Sequence, residues 1–166
     1  MANPKDEVYS RPMPSIEAFR FDQSVADVFQ DMIERSVPGY GLVLQLIGVL
    51  AEKYGQAGTR AYDLGCSLGA STLQLRRHLP DGCHVVGVDN SEAMVSRCTA
   101  NLSRDHSAAS YEILLEDLRE TNIENASIVI LNFTLQFVPD EERKNILARI
   151  CEGLNVGGIL LLAEKV

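Results

Sequence analysis

The stretch from Ala61 to Ser91, AYDLGCSLGASTLQLRRHLPDGCHVVGVDNS, constrains the fold more than any other part of this chain. It holds two short apolar runs of strand character, each ending on an acidic residue and separated by a segment of helical length. Asp63 precedes the turn Gly65-Cys66-Ser67-Leu68-Gly69, and Asp89 closes the run Val85-Val86-Gly87-Val88. Strand, tight turn, helix and second strand make one right-handed crossover of a parallel sheet. In a doubly wound sheet, ligands sit beyond the carboxyl ends of the strands, near the point where strand order reverses. An acid at the second tip can accept both hydroxyls of a ribose there. These residues predict a chain that binds an adenosine-containing molecule.

The same alternation continues to the end of the sequence. Strands are expected near 60–64, 84–88, 111–115, 127–133 and 158–163, and helices near 70–79, 91–103 and 139–153. Ser91 suits an N-cap, and Asp140, Glu141 and Glu142 suit the positive start of the helix that follows Pro139. Two amphipathic segments come before this core. Val25, Val28, Phe29, Met32 and Ile33 recur at helical spacing, as do Val43, Leu44, Leu46, Ile47, Leu50 and Ala51. The turn Ser36-Val37-Pro38-Gly39-Tyr40-Gly41 separates them. Three regions follow: a flexible arm over 1–20 with Pro4, Pro12 and Pro14, leading helices over 21–58 acting as lid or dimer elements, and an α/β core over 59–166.

Composition narrows the partners. A chain of 166 residues with 46% hydrophobic content is long enough for one packed domain. A net charge of -8 leaves no basic field for phosphate backbones, so direct nucleic-acid binding is not expected. Cys66, Cys83, Cys98 and Cys151 form no CxxC pair, and with His78, His84 and His106 they give no metal-ligand spacing, so no metal is expected and the thiols are taken as buried and free. The run Leu42 to Ala51, interrupted by Gln45, is too short to span a bilayer, and the first thirty residues show no signal-peptide core. The expectation is a soluble cytoplasmic protein without a membrane partner. Near the end, Gly157-Gly158-Ile159-Leu160-Leu161-Leu162-Ala163 looks like a strand buried on both faces, yet Val166 follows only three residues later. The chain is therefore expected to be a shortened form of a longer protein.

The glycine turn has competing meanings. It matches G-x-S-x-G, the nucleophile elbow of serine hydrolases, but that chemistry needs an acid and then a histidine downstream, and His106 is the last histidine. A dinucleotide site would want G-x-G-x-x-G, whereas Ser67 fills the middle glycine position and Ala70 or Ser71 the last. Asp63, two residues before Gly65, fits the acidic-x-Gly turn of enzymes that use S-adenosylmethionine (SAM). A tight strand-to-helix turn without a ligand stays open. Asp117 could offer a carboxylate to an adenine amino group, or be a solvated loop acid. Asn132 ends the fourth strand with an amide at the cleft mouth, and Gln136 is a weaker candidate beside it. Phe133, Leu135 and Phe137 are compatible with plain core packing.

Five segments carry a resemblance: RSVPGYG (35–41), YDLGCSLGASTL (62–73), VDNSEAM (88–94), ENASIVILNFTLQFV (124–138) and GLNVGGILLLAEK (153–165). Together they resemble the carboxy-S-adenosyl-L-methionine synthase family of the tRNA wobble-uridine modification pathway, over nearly the whole chain from about residue 20. The resemblance implies an α/β Rossmann-like SAM-dependent methyltransferase fold with parallel strand order 3-2-1-4-5 and flanking helices, the terminal strand pair lacking here. It implies conversion of SAM and prephenate to carboxy-SAM and phenylpyruvate, by proton loss from the SAM methyl group and capture of carbon dioxide. A companion enzyme then uses carboxy-SAM to modify tRNA. Ligand contacts are implied at Tyr40, at Gly65, Cys66 and Ser67, at Asp89 and Asn90, at Asp117 and Leu118, and at Asn132. A homodimer is implied as well. No proton acceptor is assigned, and the family's Arg for the product carboxylate has no counterpart in this sequence. A conventional SAM-dependent methyltransferase, or a SAM-binding module without catalysis, are the alternatives.

Overall fold

A computed structural model describes residues 22–165, so the arm expected over residues 1–20 lies outside the described residues. The chain order is α1 (Gln23–Ser36), α2 (Tyr40–Tyr54), β1 (Arg60–Leu64), α3 (Ala70–His78), β2 (His84–Asp89), α4 (Glu92–Leu102), β3 (Ser110–Leu115), β4 (Ala126–Asn132), a short 3-10 turn (Leu135–Phe137), α5 (Asp140–Gly153) and β5 (Leu154–Ala163). The five strands form one parallel sheet in the order β3-β2-β1-β4-β5. Strand order reverses between β1 and β4, which opens a crevice at their carboxyl ends.

Side-chain alternation builds a core on each face of the sheet. Tyr62, Leu64, Val86, Val88, Val129 and Leu131 pack with Ile146 and Ile150 of α5. Ala61, Val85, Ile128 and Ile130 pack on the other face with Ile47 and Ala51 of α2 and Leu75 of α3. A central strand covered on both sides is largely apolar, and all of β4 except Asn132 is buried, its one buried polar residue, Ser127, accepting the Thr59 hydroxyl at 2.8 Å. Truncating a fully buried side chain such as Ile130 to Ala would cost about 2–5 kcal/mol.

Helix starts follow local chemistry. Asp22 caps α1 by accepting the backbone N–H groups of Ser24 at 2.9 Å and Val25 at 3.1 Å. Ser91 caps α4 through the Met94 N–H at 3.3 Å, as expected. Three acids open α5, where the helix dipole favours negative charge. Val25, Ala26 and Phe29 of α1 pack on Met94 of α4, with Leu68 of the glycine turn beside them, so the first helix borders the crevice.

Two expectations need correction. The last strand is not buried on both faces: β5 is a sheet edge, its residues are half-buried or exposed, and Leu162 is 50% exposed. It also begins earlier than expected, at Leu154, because an irregularity between the Ala126–Leu154 and Ile128–Ile159 pairs absorbs extra residues around Gly157. Of the four free thiols, Cys66, Cys83 and Cys98 are buried but Cys151 is exposed, since it lies on α5 away from the face carrying Ile146 and Ile150.

Candidate functional site

The carboxyl ends of the strands surround a cavity of about 1120 Å³. Single-ligand pockets usually fall in the range of roughly 300–1,000 Å³, so this space exceeds what one nucleoside needs. Every residue expected at the site lines it: Tyr40 from α2, Gly65, Cys66 and Ser67 from the turn after β1, Asp89 and Asn90 after β2, Asp117 and Leu118 after β3, and Asn132 at the end of β4. Gln136 lines it too, with its amide nitrogen donating to the Phe133 carbonyl at 2.9 Å.

The glycine turn is stitched to β2. Gly65 and Cys66 N–H groups both donate to the Val88 carbonyl, at 2.8 and 2.9 Å. Ser67 N–H donates to Asp89 Oδ2 at 2.9 Å, and Ser91 N–H donates to Asp89 Oδ1 at 2.9 Å. Gly65 has φ +82°, and a Cβ there would lie 2.5 Å from the side chain of Thr134. Only glycine fits this position, because backbone sign and space both exclude a side chain. Gly69, with φ +86°, begins α3 against Cys98, where a Cβ would meet the sulfur at 2.7 Å.

Two carboxylates lie within this turn at different depths. Asp63 is fully buried, accepting the Thr72 hydroxyl at 2.6 Å, and burial pushes its carboxyl up to about 6 against that hydrogen bond, with the charge of Asp89 adding to the rise. Asp89 reaches the cavity wall, and burial raises it while the Ser91 and Ser67 amides pull the other way. An ionised carboxylate offers about four acceptor positions, so two backbone bonds leave roughly two for a pair of hydroxyls.

Asn132 donates its amide nitrogen to Ser71 Oγ at 3.0 Å, while its Oδ1 is buried without a partner. A buried acceptor left unpaired costs about 1–3 kcal/mol, which marks it as a place for a ligand donor. Next to it, Phe133 has φ +58°, and Ser67 has φ +48°. A bulky side chain in the left-handed region is strained, and both residues border the cavity. The Phe133 and Tyr40 rings lie 6.3 Å apart in a tilted pair at the cavity wall. Burial, followed by the charges of Asp63 and Glu34, pushes the Tyr40 hydroxyl up to about 12, so it remains a neutral donor.

After β3, Arg119 grips Asp117. Its backbone N–H and Nε reach Oδ1 at 2.9 Å each, and Nη2 reaches Oδ2 at 2.6 Å. The guanidinium holds the Asp117 carboxyl below its ordinary range. Sequence reasoning passed over Arg119, Ser71, Thr72 and Thr134. The acid-Leu-Arg spacing could have flagged Arg119, but the other three are small hydroxyl residues whose role depends on partners about 9 to 70 positions away. Among the described residues no group of His, Cys, Asp and Glu could hold a metal ion, and no helix is long and apolar enough to cross a membrane.

Known proteins align with this chain in three ways. Residues 61–158 match the family model described as a methyltransferase domain. The carboxy-S-adenosyl-L-methionine synthase of Vibrio cholerae is 50% identical over 164 residues, which cover 98% of this chain and 67% of that protein. This chain thus spans about two thirds of the length of that relative. Among solved structures, a protein of Methanococcus maripaludis described as a SAM-dependent methyltransferase superposes with TM-score 0.68 at 19% identity, covering 90% of this chain and 67% of the other. A mycolic acid cyclopropane synthase complexed with S-adenosylhomocysteine (SAH) and CTAB gives TM-score 0.63 at 17% identity, covering 78% and 45%. At such identities these two structures establish likeness of fold.

Proposed function

The chain belongs to the carboxy-S-adenosyl-L-methionine synthase family, within the methyltransferase-domain proteins, and on that premise we propose that it converts SAM and prephenate to carboxy-SAM and phenylpyruvate. The observation that supports this most is the meeting of four strand ends on one cavity: the Gly65 turn, Asp89, Asp117 with Leu118, and Asn132. The residues fit a sulfonium nucleoside. Asp89 receives the ribose diol, the Leu118 backbone and Asp117 receive the adenine edge, and the Gly65 to Ser67 backbone receives the methionine end. The unpartnered Oδ1 of Asn132 accepts from the ligand's ammonium group.

When bound, SAM supplies a methyl group made acidic by its sulfonium. Prephenate loses carbon dioxide and its hydroxyl to give phenylpyruvate; the methyl carbon takes up the carbon dioxide, and the released proton and hydroxide leave as water. The chain's part is to orient both substrates and keep bulk water out, and Phe29, Met32, Tyr40 and Phe133 give the cavity apolar walls for that purpose. The volume beyond the needs of one nucleoside is where prephenate sits.

In the same reading the product serves modification of the tRNA wobble uridine by a companion enzyme, in the cytoplasm. A chain of net charge -8 suits a small cationic substrate and no direct contact with RNA. The protein works as a homodimer through its leading helices. Leu42, Leu46 and Val49 support this, since they lie on one side of α2 at 49–60% exposure. Light scattering after size exclusion tests it: a mass near twice 18.3 kDa is expected, and a monomer at all concentrations contradicts it.

Mass spectrometry of an incubation with SAM and prephenate tests the activity. Carboxy-SAM and phenylpyruvate appearing together are expected. Methyl transfer to an acceptor without a prephenate requirement would favour a conventional methyltransferase, and stabilisation by ligand without any product would favour a binding module.

A further inference from the structure

Asp117 does not face the cavity as a free acid. Arg119 occupies Oδ1 with its backbone N–H and Nε and Oδ2 with Nη2, and Nε also lies 3.0 Å from Oδ2. Its remaining nitrogen, Nη1, meets both oxygens of Glu142 in the first turn of α5, at 3.1 and 3.0 Å. The guanidinium thus ties the loop after β3 to the first turn of α5, and Asp117 and Arg119 both line the cavity. We infer that Arg119 is a positioning residue for nucleobase selection: it clamps the Asp117 carboxylate so that the site takes a 6-aminopurine and turns away a 6-oxopurine.

The stereochemistry leads there directly. An ionised carboxylate has about four acceptor positions and no donor. Three Arg119 protons occupy the carboxylate, the Nε proton being shared between Oδ1 at 2.9 Å and Oδ2 at 3.0 Å, which leaves room for one further donor. A single exocyclic amino hydrogen fills that room, whereas a 6-oxo group presents a lone pair to a lone pair. Arg119 also prevents the alternative in which a protonated or rotated Asp117 offers a donor, since its planar fork fixes the carboxylate plane as well as its charge. The half-exposed clamp contributes little to folding by itself; its worth is in orientation.

The inference rests on the adenosyl reading, and calorimetric titrations with SAH and its 6-oxo analogue S-inosylhomocysteine separate the two. The unaltered chain should bind the adenosyl compound at least about tenfold more tightly, the worth of one hydrogen bond to a charged group. Arg119→Ala should bring that ratio toward one, chiefly through weaker adenosyl binding, and Arg119→Lys should recover part of it. Glu142→Gln should lower the ratio less than Arg119→Ala. A merely structural role would weaken both compounds together, so an unchanged ratio in Arg119→Ala overturns the inference while leaving adenosyl binding intact. Binding of neither compound by the unaltered chain overturns the adenosyl reading and the inference with it.

Discussion

The backbone N–H of Ser67 donates to the Asp89 carboxylate at 2.9 Å, joining the turn after β1 to the tip of β2. One carboxylate therefore shapes the glycine turn and faces the ligand cavity, and its second oxygen holds the Ser91 N–H at the entry to α4.

Asp89→Asn separates those duties. The amide keeps the shape and one acceptor oxygen but turns its nitrogen toward a backbone donor and loses the charge that favours a ribose diol. Affinity for SAH should fall by about ten- to a hundredfold, the worth of a hydrogen bond to a charged group. Titration calorimetry measures it, and unchanged affinity would remove Asp89 from the ribose role.

Asp63 makes stability depend on pH in a specified direction. Its folded value, about 6, lies above the ordinary carboxylate value of 3.8. The native state then holds a proton that the unfolded chain gives up, so the contribution is fully present below about pH 4 and is lost as pH rises toward 6, by roughly 3 kcal/mol. Asp63→Asn should flatten urea-denaturation stability across that window. A cationic ligand favours ionised Asp63, so SAM affinity should rise between about pH 5 and 7, and less so in the variant. A pH-independent affinity would contradict this coupling.

Gly65→Ala places a Cβ 2.5 Å from Thr134 and asks an L residue to hold φ +82°. The strain should cost about 1–3 kcal/mol in thermal unfolding and displace the turn enough to weaken SAH binding by more than tenfold. A variant with unaltered melting temperature and affinity would show that the turn is not the tight cradle described.

Asn132→Ala removes a hydrogen bond to Ser71 and a buried acceptor without a partner at the same time. These effects oppose each other in the free protein, so stability should shift by less than about 1 kcal/mol, while ligand affinity falls about tenfold. A large loss of stability with intact affinity would make Asn132 a core residue.

Much of this arrangement was legible in the chain. Asp63, Gly65 and Asp89 stand at strand tips because apolar runs of strand length end there, and burial of the central strands on both faces follows from the same runs. The crevice location follows from strand order, which right-handed crossovers restrict. The edge position of β5 follows from the expected strand order, but its half-exposure was hidden because Ile159-Leu160-Leu161-Leu162 is as apolar as a central strand. Arg119 and Ser71 escaped for another reason: a cation or hydroxyl acquires meaning from its partner, and Ser71 meets Asn132 across 61 positions of sequence.

A crystal structure with SAH soaked to saturation tests the central claim most directly. The ribose hydroxyls should rest on Asp89, the adenine edge on Leu118 and Asp117, and the amino-acid end between the Gly65 turn and Asn132. A nucleoside bound in the reverse direction, or bound anywhere other than this cavity, would contradict it.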